Sequence, residues 1–470
     1  MHSRSSLFVV GALFAAHSAS VTPVHASDDL RVVEAVERQD GETARALIES
    51  GADVSATQPD GATALHWAAH WNDGQTATRL IAAGVDVNAV NDLGVPPLWV
   101  AVDSANTAVA LGLIDAGADV DARLLTGETV LMAAARNGLR TVASRLLSGG
   151  ADVRLAEHEA AQTALMWAAA GGHTDVVRLL AESGAAIGAR TTGRFTALMF
   201  AARAGDVDTV RLLLDAGADI ETRSLDGSTP LLVASRSTDA LAGIDWRVIP
   251  YASGHEETAH YLIERGAVVT VADRLGRTAL HASVEMNRLD LARALLAAGA
   301  DVDAQFTDRV PALRGDYISR APFKGATPFW LAARDSKVEM MRLLLEADAD
   351  PHQTNAYGST PLMVAAGLGE NDARRPPDHR VLETVTLLLE LGSDAAAATP
   401  SGQTALHGAA SMWEDEVIQL LVDHGADVNA EDRRGRTPLY LVENGAANAP
   451  SESTAALLRR LGATEPVVDH

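Results

Sequence analysis

The residues that could carry out chemistry are few in this chain, and their spacing works against the reactions they suggest. His255-Glu256-Glu257-Thr258-Ala259-His260 has the look of a zinc-protease helix. A separation of five places the two imidazoles about 140° apart on a helix, so they cannot share one metal ion. No nucleophile elbow around serine, phosphate-binding glycine loop or dinucleotide fingerprint occurs. The chain has no cysteine, which removes thiolate nucleophiles, cysteine-ligated zinc and disulfides together. Arg314-Gly315-Asp316 spells an adhesion tripeptide, a match of the length that chance supplies. The sequence is therefore read as non-catalytic, with no catalytic or metal-ligating residue and no cofactor.

What remains is binding chemistry. Arg136, Arg203, Arg236 and Arg334 each fall nine residues after a recurring anchor, where a row of guanidinium groups could meet an acidic peptide. The plainer reading is a solvated helix face. Trp71 stands beside His70 at the end of an apolar run, and an exposed tryptophan favours an interface. Residues 237–254 carry Trp246 and Tyr251 among aliphatic neighbours, either as a lid on their own unit or as a contact surface. Residues 305–324 are basic in an acidic protein, with Arg309, Arg314, Arg320 and Lys324 interleaved with Phe306, Tyr317 and Phe323. The whole chain has 38 basic and 62 acidic side chains and a net charge of −24, which argues against nucleic acid and anionic membranes as partners. The same repulsion favours a monomer.

The elements that must position these residues are set by a repeat. A Gly-Ala-Asp phrase returns at Gly51, Gly84, Gly117, Gly150, Gly184, Gly217, Gly266, Gly299, Asp348, Gly392, Gly425 and Gly462, mostly at steps of 33 residues. Each phrase follows an amphipathic segment such as Val210-Arg211-Leu212-Leu213-Leu214. A second phrase, Gly-x-Thr-x-Leu, opens every unit except the first, which lacks it. It starts at Gly61, Gly94, Gly127, Ala161, Arg194, Gly227, Gly276, Gly325, Gly358, Gly402 and Gly435. The glycine suits a tight turn, the threonine oxygen can cap a helix, and Pro230, Pro328, Pro361 and Pro438 occupy the first helical position, where a missing N–H costs nothing. The leucine and the paired alanines then face the neighbouring unit. Self-similarity at this period predicts a linear stack of helix pairs in place of a globule around one site.

These phrases resemble those of ankyrin-repeat proteins, in Thr-Ala-Leu-His at Thr63, Thr278 and Thr404 and in Gly425-Ala426-Asp427-Val428-Asn429-Ala430. The resemblance covers residues from about 28 to 465. It implies an all-α solenoid of about twelve helix-turn-helix units joined by hairpin-like turns, with partners bound on the turn tips and the concave side of each first helix. It departs from the family pattern where the histidine is replaced, as at Trp99, Met132 and Trp330, and where Pro96 replaces the anchor threonine.

The resulting organisation is a cleavable signal peptide at 1–26, a capping repeat at 27–60, regular repeats at 61–236, repeats with loop insertions at 237–434, and a capping repeat with tail at 435–470. The leader is read from Arg4, the apolar run Leu7 to Ala16 and the small-residue site Val24-His25-Ala26. No other stretch is long and apolar enough for a membrane span. Cysteine-free and exported, the chain is expected in the periplasm, with secretion as the alternative. Its expected role is that of a scaffold or interaction module for a protein partner. The alternatives are an accessory subunit protecting a periplasmic enzyme and, from a different class, an enzyme whose site lies in the inserted loops.

Overall fold

The computed structural model describes residues 29–236, 255–307, 323–369, 378–444 and 451–464. These contain 24 helices, which fall into twelve antiparallel pairs. They divide into two compact units that meet in sequence between Leu225 and Asp226. The first holds the six pairs from Arg31–Glu37 to Val207–Asp215, and the second the six from Pro230–Ser235 to Glu452–Arg460. Within each unit, first helices stack on first helices and second helices on second helices. Only isolated β-bridges, such as Thr57 to Thr63 and Ala398 to Thr404, mark the bases of the hairpins among the described residues.

The repeat phrases act at the positions expected of them. Thr63, Thr129, Thr196, Thr229, Thr278, Thr327, Thr360 and Thr404 each accept a hydrogen bond from the backbone N–H three residues on, which closes an otherwise orphaned helix start. Pro96, standing where a threonine is otherwise found, leaves Pro97–Asp103 without a side-chain cap. Paired alanines such as Ala68-Ala69, Ala134-Ala135 and Ala201-Ala202 are fully buried, and their small size lets first helices approach closely. A leucine from each second helix after the first forms the deepest column, with Leu80, Leu113, Leu146, Leu180 and Leu213 in the first unit all wholly buried. Asp348 adopts φ +65°, keeping the left-handed turn that glycine supplies elsewhere.

The two terminal repeats each bury one face and expose the other. Val32 and Ala35 join Val33 and Val36 in the core, while Leu30 is only half-buried. The second helix of the repeat opened by Gly358 begins at Asp378 and runs to Glu390. Arg459 and Arg460 face solvent at the last helix, as a terminal repeat requires.

Three histidines of the opening phrase are structural. His66 accepts at Nδ1 from the Thr63 N–H and donates from Nε2 to Val95 O (2.9 Å), and His407 repeats this with Thr404 and Arg436 O (3.0 Å). Trp330 makes the same cross-repeat bond from its indole to Ser359 O at 3.0 Å. Burial lowers the pKa of His66, His281 and His407, that of His281 to about 3. The imidazoles therefore stay neutral in the fold while the unfolded chain gains protons below pH 6.5. Their contribution is fully present above that value and falls as pH drops below it, for His281 down to about 3, by up to about 1.4 kcal/mol per pH unit for each group. Methionine already occupies this register at Met132, Met166, Met199 and Met363. Replacing the three histidines with Met should flatten stability against pH between 4 and 6.5, read from urea melts. An unchanged slope would reject the assignment.

Candidate functional site

At most steps among the described residues, the tips of the hairpins are tied together by one backbone bond. In the first unit Asp92 N donates to Asp60 O, His158 N to Thr126 O, Thr192 N to Ala160 O and Leu225 N to Gly193 O, at 2.8–2.9 Å. In the second, Arg274 N donates to Asp226 O, Thr307 N to Leu275 O, Ala356 N to Lys324 O and Arg433 N to Ser401 O, over the same range. This ladder presents the tips at a fixed spacing. Large apolar side chains left exposed on or beside it include Leu93 (47%), Leu125 (78%) and Leu225 (52%). Trp71 is 40% exposed where its helix ends, stacked on Trp67 with ring centroids 6.2 Å apart, and its indole donates to Glu37 O at 3.2 Å. It is the exposed aromatic that the sequence suggested.

The four arginines nine residues past the anchor are not an open basic row. Arg203 is 5% exposed, its guanidinium lying over Phe195 and Phe200 at 5.6 and 5.2 Å. Arg236 is 4% exposed and pairs with Asp226 at 3.4 Å and with Asp273. Arg136 holds Asp103 and Glu128, both at 2.6 Å, and lies over the Trp167 ring at 5.3 Å. Arg334 sits over Phe323 at 4.8 Å and binds Asp335 at 2.6 Å. The physical reason is local: for three of the four, the residue directly after the anchor reaches the ninth. Glu128 meets Arg136 this way, Phe195 meets Arg203, and Ser228 accepts from Arg236 at 3.0 Å. In the next repeat the charges reverse, with Arg277 after the anchor and Glu285 at the ninth position, 3.2 Å apart. Arg277 also lies over Phe306 at 5.7 Å.

Sequence reading missed Glu128, Arg277, Glu285 and the carboxylates of Asp103, Asp226 and Asp273. For Glu128 and the Arg277–Glu285 pair the signal was the charge at the residue after the anchor; Asp103, Asp226 and Asp273 lie at other positions of the repeat and had none. Burial raises the carboxyl pKa of Asp103 and Glu128, with Arg136 opposing it. Burial likewise lowers that of Arg277. Burial alone would raise Asp335, but Arg334 and Lys337 bring it below the ordinary carboxylate value. Lys337 also donates to Val284 O and Glu285 O, both at 2.9 Å, so it fastens one repeat to the previous one.

Of the remaining candidates, Lys324 is exposed on the turn before Gly325. Trp246, Tyr251, Arg309, Arg314, Tyr317 and Arg320 lie outside the described residues. His255 precedes the helix Glu256–Glu264, and His260 instead faces Glu256 at 3.8 Å. Among the described residues no group of three or more His, Asp or Glu side chains is placed to hold a metal ion, and no helix is long and apolar enough to cross a membrane.

Comparison with known proteins agrees with this architecture. The family model for ankyrin repeats in three copies matches residues 32–124, 113–191, 131–224, 188–245, 248–306 and 378–456, and that for a single ankyrin repeat matches 324–356. Inversin from Canis lupus familiaris is 30% identical over 195 residues, 41% of this chain and 16% of inversin. Neurogenic locus notch homolog protein 1 from Homo sapiens is 33% identical over 181 residues, 38% of this chain and 6% of that protein. The chain thus spans a minor part of these relatives' lengths. Among solved structures, the human ASB11 ankyrin repeat domain is similar at a TM-score of 0.42 and 24% identity, covering 50% of this chain and 98% of that one. Because the family models match most of its length, the chain belongs to the ankyrin-repeat family.

Proposed function

We propose that the chain is a non-catalytic protein-binding module that presents its hairpin tips and the adjoining ends of its first helices to a protein partner. The observation that carries this reading is the tip ladder. It holds backbone and side chains at a fixed spacing while leaving Leu93, Leu125, Leu225 and Trp71 in solvent. The arginine contacts support it from the other side, since Arg136 and Arg236 hold carboxylates of neighbouring repeats, while Arg203 and Arg334 lie over aromatic rings of their own. The basic and aromatic insertions, with Trp246, Tyr251, Arg309, Arg314, Tyr317 and Arg320, extend the binding surface in this proposal, and residues 1–26 direct export to the periplasm. Both of these parts rest on sequence.

The test is photocrosslinking in intact expressing cells. A benzophenone amino acid at Trp71, Leu125 or Lys324 should give discrete protein adducts, and one at Arg178 or Arg342, exposed on second helices, should not. Adducts only at the second-helix positions would reject the reading. Changing Arg309, Arg314 and Arg320 to Ser should lower the Lys324 adduct yield if the insertion takes part. Deleting residues 1–26 should retain the protein in the cytoplasm.

A further inference from the structure

The tip ladder is broken at two steps. One is chemically forced, since Pro400 has no N–H to donate. The other is not. By the register of its neighbours, Leu125 N should donate to Leu93 O, yet among the described residues neither atom has a backbone partner there. The rungs on either side, Asp92 to Asp60 and His158 to Thr126, are intact. The open step is also where leucines are exposed on consecutive tips, Leu93 at 47% and Leu125 at 78%. The two belong to one spot, because a Cβ added at Gly94 would lie 3.7 Å from the Leu125 side chain. Val90, 55% exposed, lies three residues before Leu93.

The charge around this gap is one-sided. Asp60 and Asp92 belong to the rung before it, and Glu157 and Glu159 flank His158 in the rung after it, while Arg123 is the single guanidinium on these tips. Two main-chain groups without a backbone partner, two exposed leucines and a negative surrounding specify the chemistry of an occupant. An extended peptide can accept from Leu125 N–H and donate to Leu93 C=O as a strand added at an open edge does. Its alternate side chains would then supply aliphatic contact and positive charge.

Resting on the reading of the tips as the binding surface, we propose that the Leu93–Leu125 gap docks an extended segment in which Lys or Arg alternates with large aliphatic residues. The occupant is a protein segment of that composition, and its main chain closes the missing rung.

The probe is a fluorescein-labelled peptide of alternating Lys and Leu, measured by anisotropy against the full chain at several salt concentrations. Peptides alternating Lys with Ser and Glu with Leu are the comparisons. The Lys-Leu peptide should bind at least tenfold more tightly than either, and the joint change Leu93→Ser with Leu125→Ser should remove that advantage. Val268→Ser, which alters a residue 48% exposed elsewhere, should leave it intact. N-methylation of the peptide backbone at alternate residues should weaken binding tenfold or more. Equal affinity for the doubly changed chain, or for the Lys-Ser peptide, would overturn the proposal. These outcomes are separable from the crosslinking result. Adducts at Leu125 with no effect of the leucine changes would reject the basic-aliphatic occupant and leave the binding surface standing. Absence of tip adducts would reject the surface itself.

Discussion

Replacing Arg236 with Met destabilises the second unit by about 3–5 kcal/mol, the cost of leaving a buried charge without its partner. The charge left behind is Asp273, whose side chain is 4% exposed. Its two oxygens divide the work: Oδ2 faces Arg236, and Oδ1 accepts from Leu275 N–H at 2.9 Å and Arg277 N–H at 2.8 Å. Met fills most of the arginine's volume and supplies no charge, so the loss is electrostatic more than steric. Asp226 loses a partner too, but at 36% side-chain exposure water replaces much of it. Hydrogen exchange of Pro230–Ser235 and Ala279–Glu285 should accelerate, and the thermal midpoint of the unit should fall by roughly 10 °C. The companion change Asp273→Asn keeps an oxygen for the two N–H groups and removes the stranded charge. The double variant should therefore recover a large part of the loss. If the two changes instead add, the pair is not coupled and the loss at Arg236 is not that of a stranded Asp273 charge.

The contrast between that buried pair and the exposed row suggested by sequence shows what a single chain makes legible. The stack, its units and its caps were readable because the period is enforced by turn geometry and helix capping, which act locally and recur at fixed spacing. Thr63 caps its helix for the same reason that Thr404 does. Arg136, Arg203 and Arg236 were read as solvent-facing because helix periodicity places them on the outward side of a first helix. Periodicity carries no information on what the following hairpin lays across that side. Glu128 and Phe195 reach over from the residue after the anchor, and Asp273 from the next hairpin. The reversed pair Arg277–Glu285 has no arginine at the ninth position at all, so a search for guanidinium groups there passed over it. Trp71 was legible because it lies beyond the apolar face of its helix. The open rung at Leu125 had no sequence signature, since backbone pairing across tips depends on the relative height of two turns and not on which side chains they carry.

The second large effect concerns the hairpin that joins the Gly276 anchor to its neighbour. Gly276 has φ +83°, and a Cβ there would lie 2.5 Å from Thr307 N, 2.6 Å from Gln305 O and 3.0 Å from Phe306 Cα. All three are backbone atoms, so no side chain can swing aside. The displaced strand is the one whose Thr307 N donates to Leu275 O (2.8 Å) and whose Phe306 ring packs on His281, with centroids 4.6 Å apart, and under Arg277. Gly276→Ala should therefore cost about 4 kcal/mol or more, in the range reserved for changes that break a packed network. Gly299→Ala is the control, because Gly299 has φ +90° and nothing lies within 4 Å of the place its new methyl group would take. It incurs only the left-handed backbone penalty of about 1–2 kcal/mol. Urea melts of the two variants, with hydrogen exchange at Ala279–Glu285 and Pro328–Arg334, separate the effects. Equal losses would mean that the hairpin shifts freely and that close backbone approach does not fix this turn. A much larger loss at Gly276 would identify the backbone of one hairpin as the template against which the next is set.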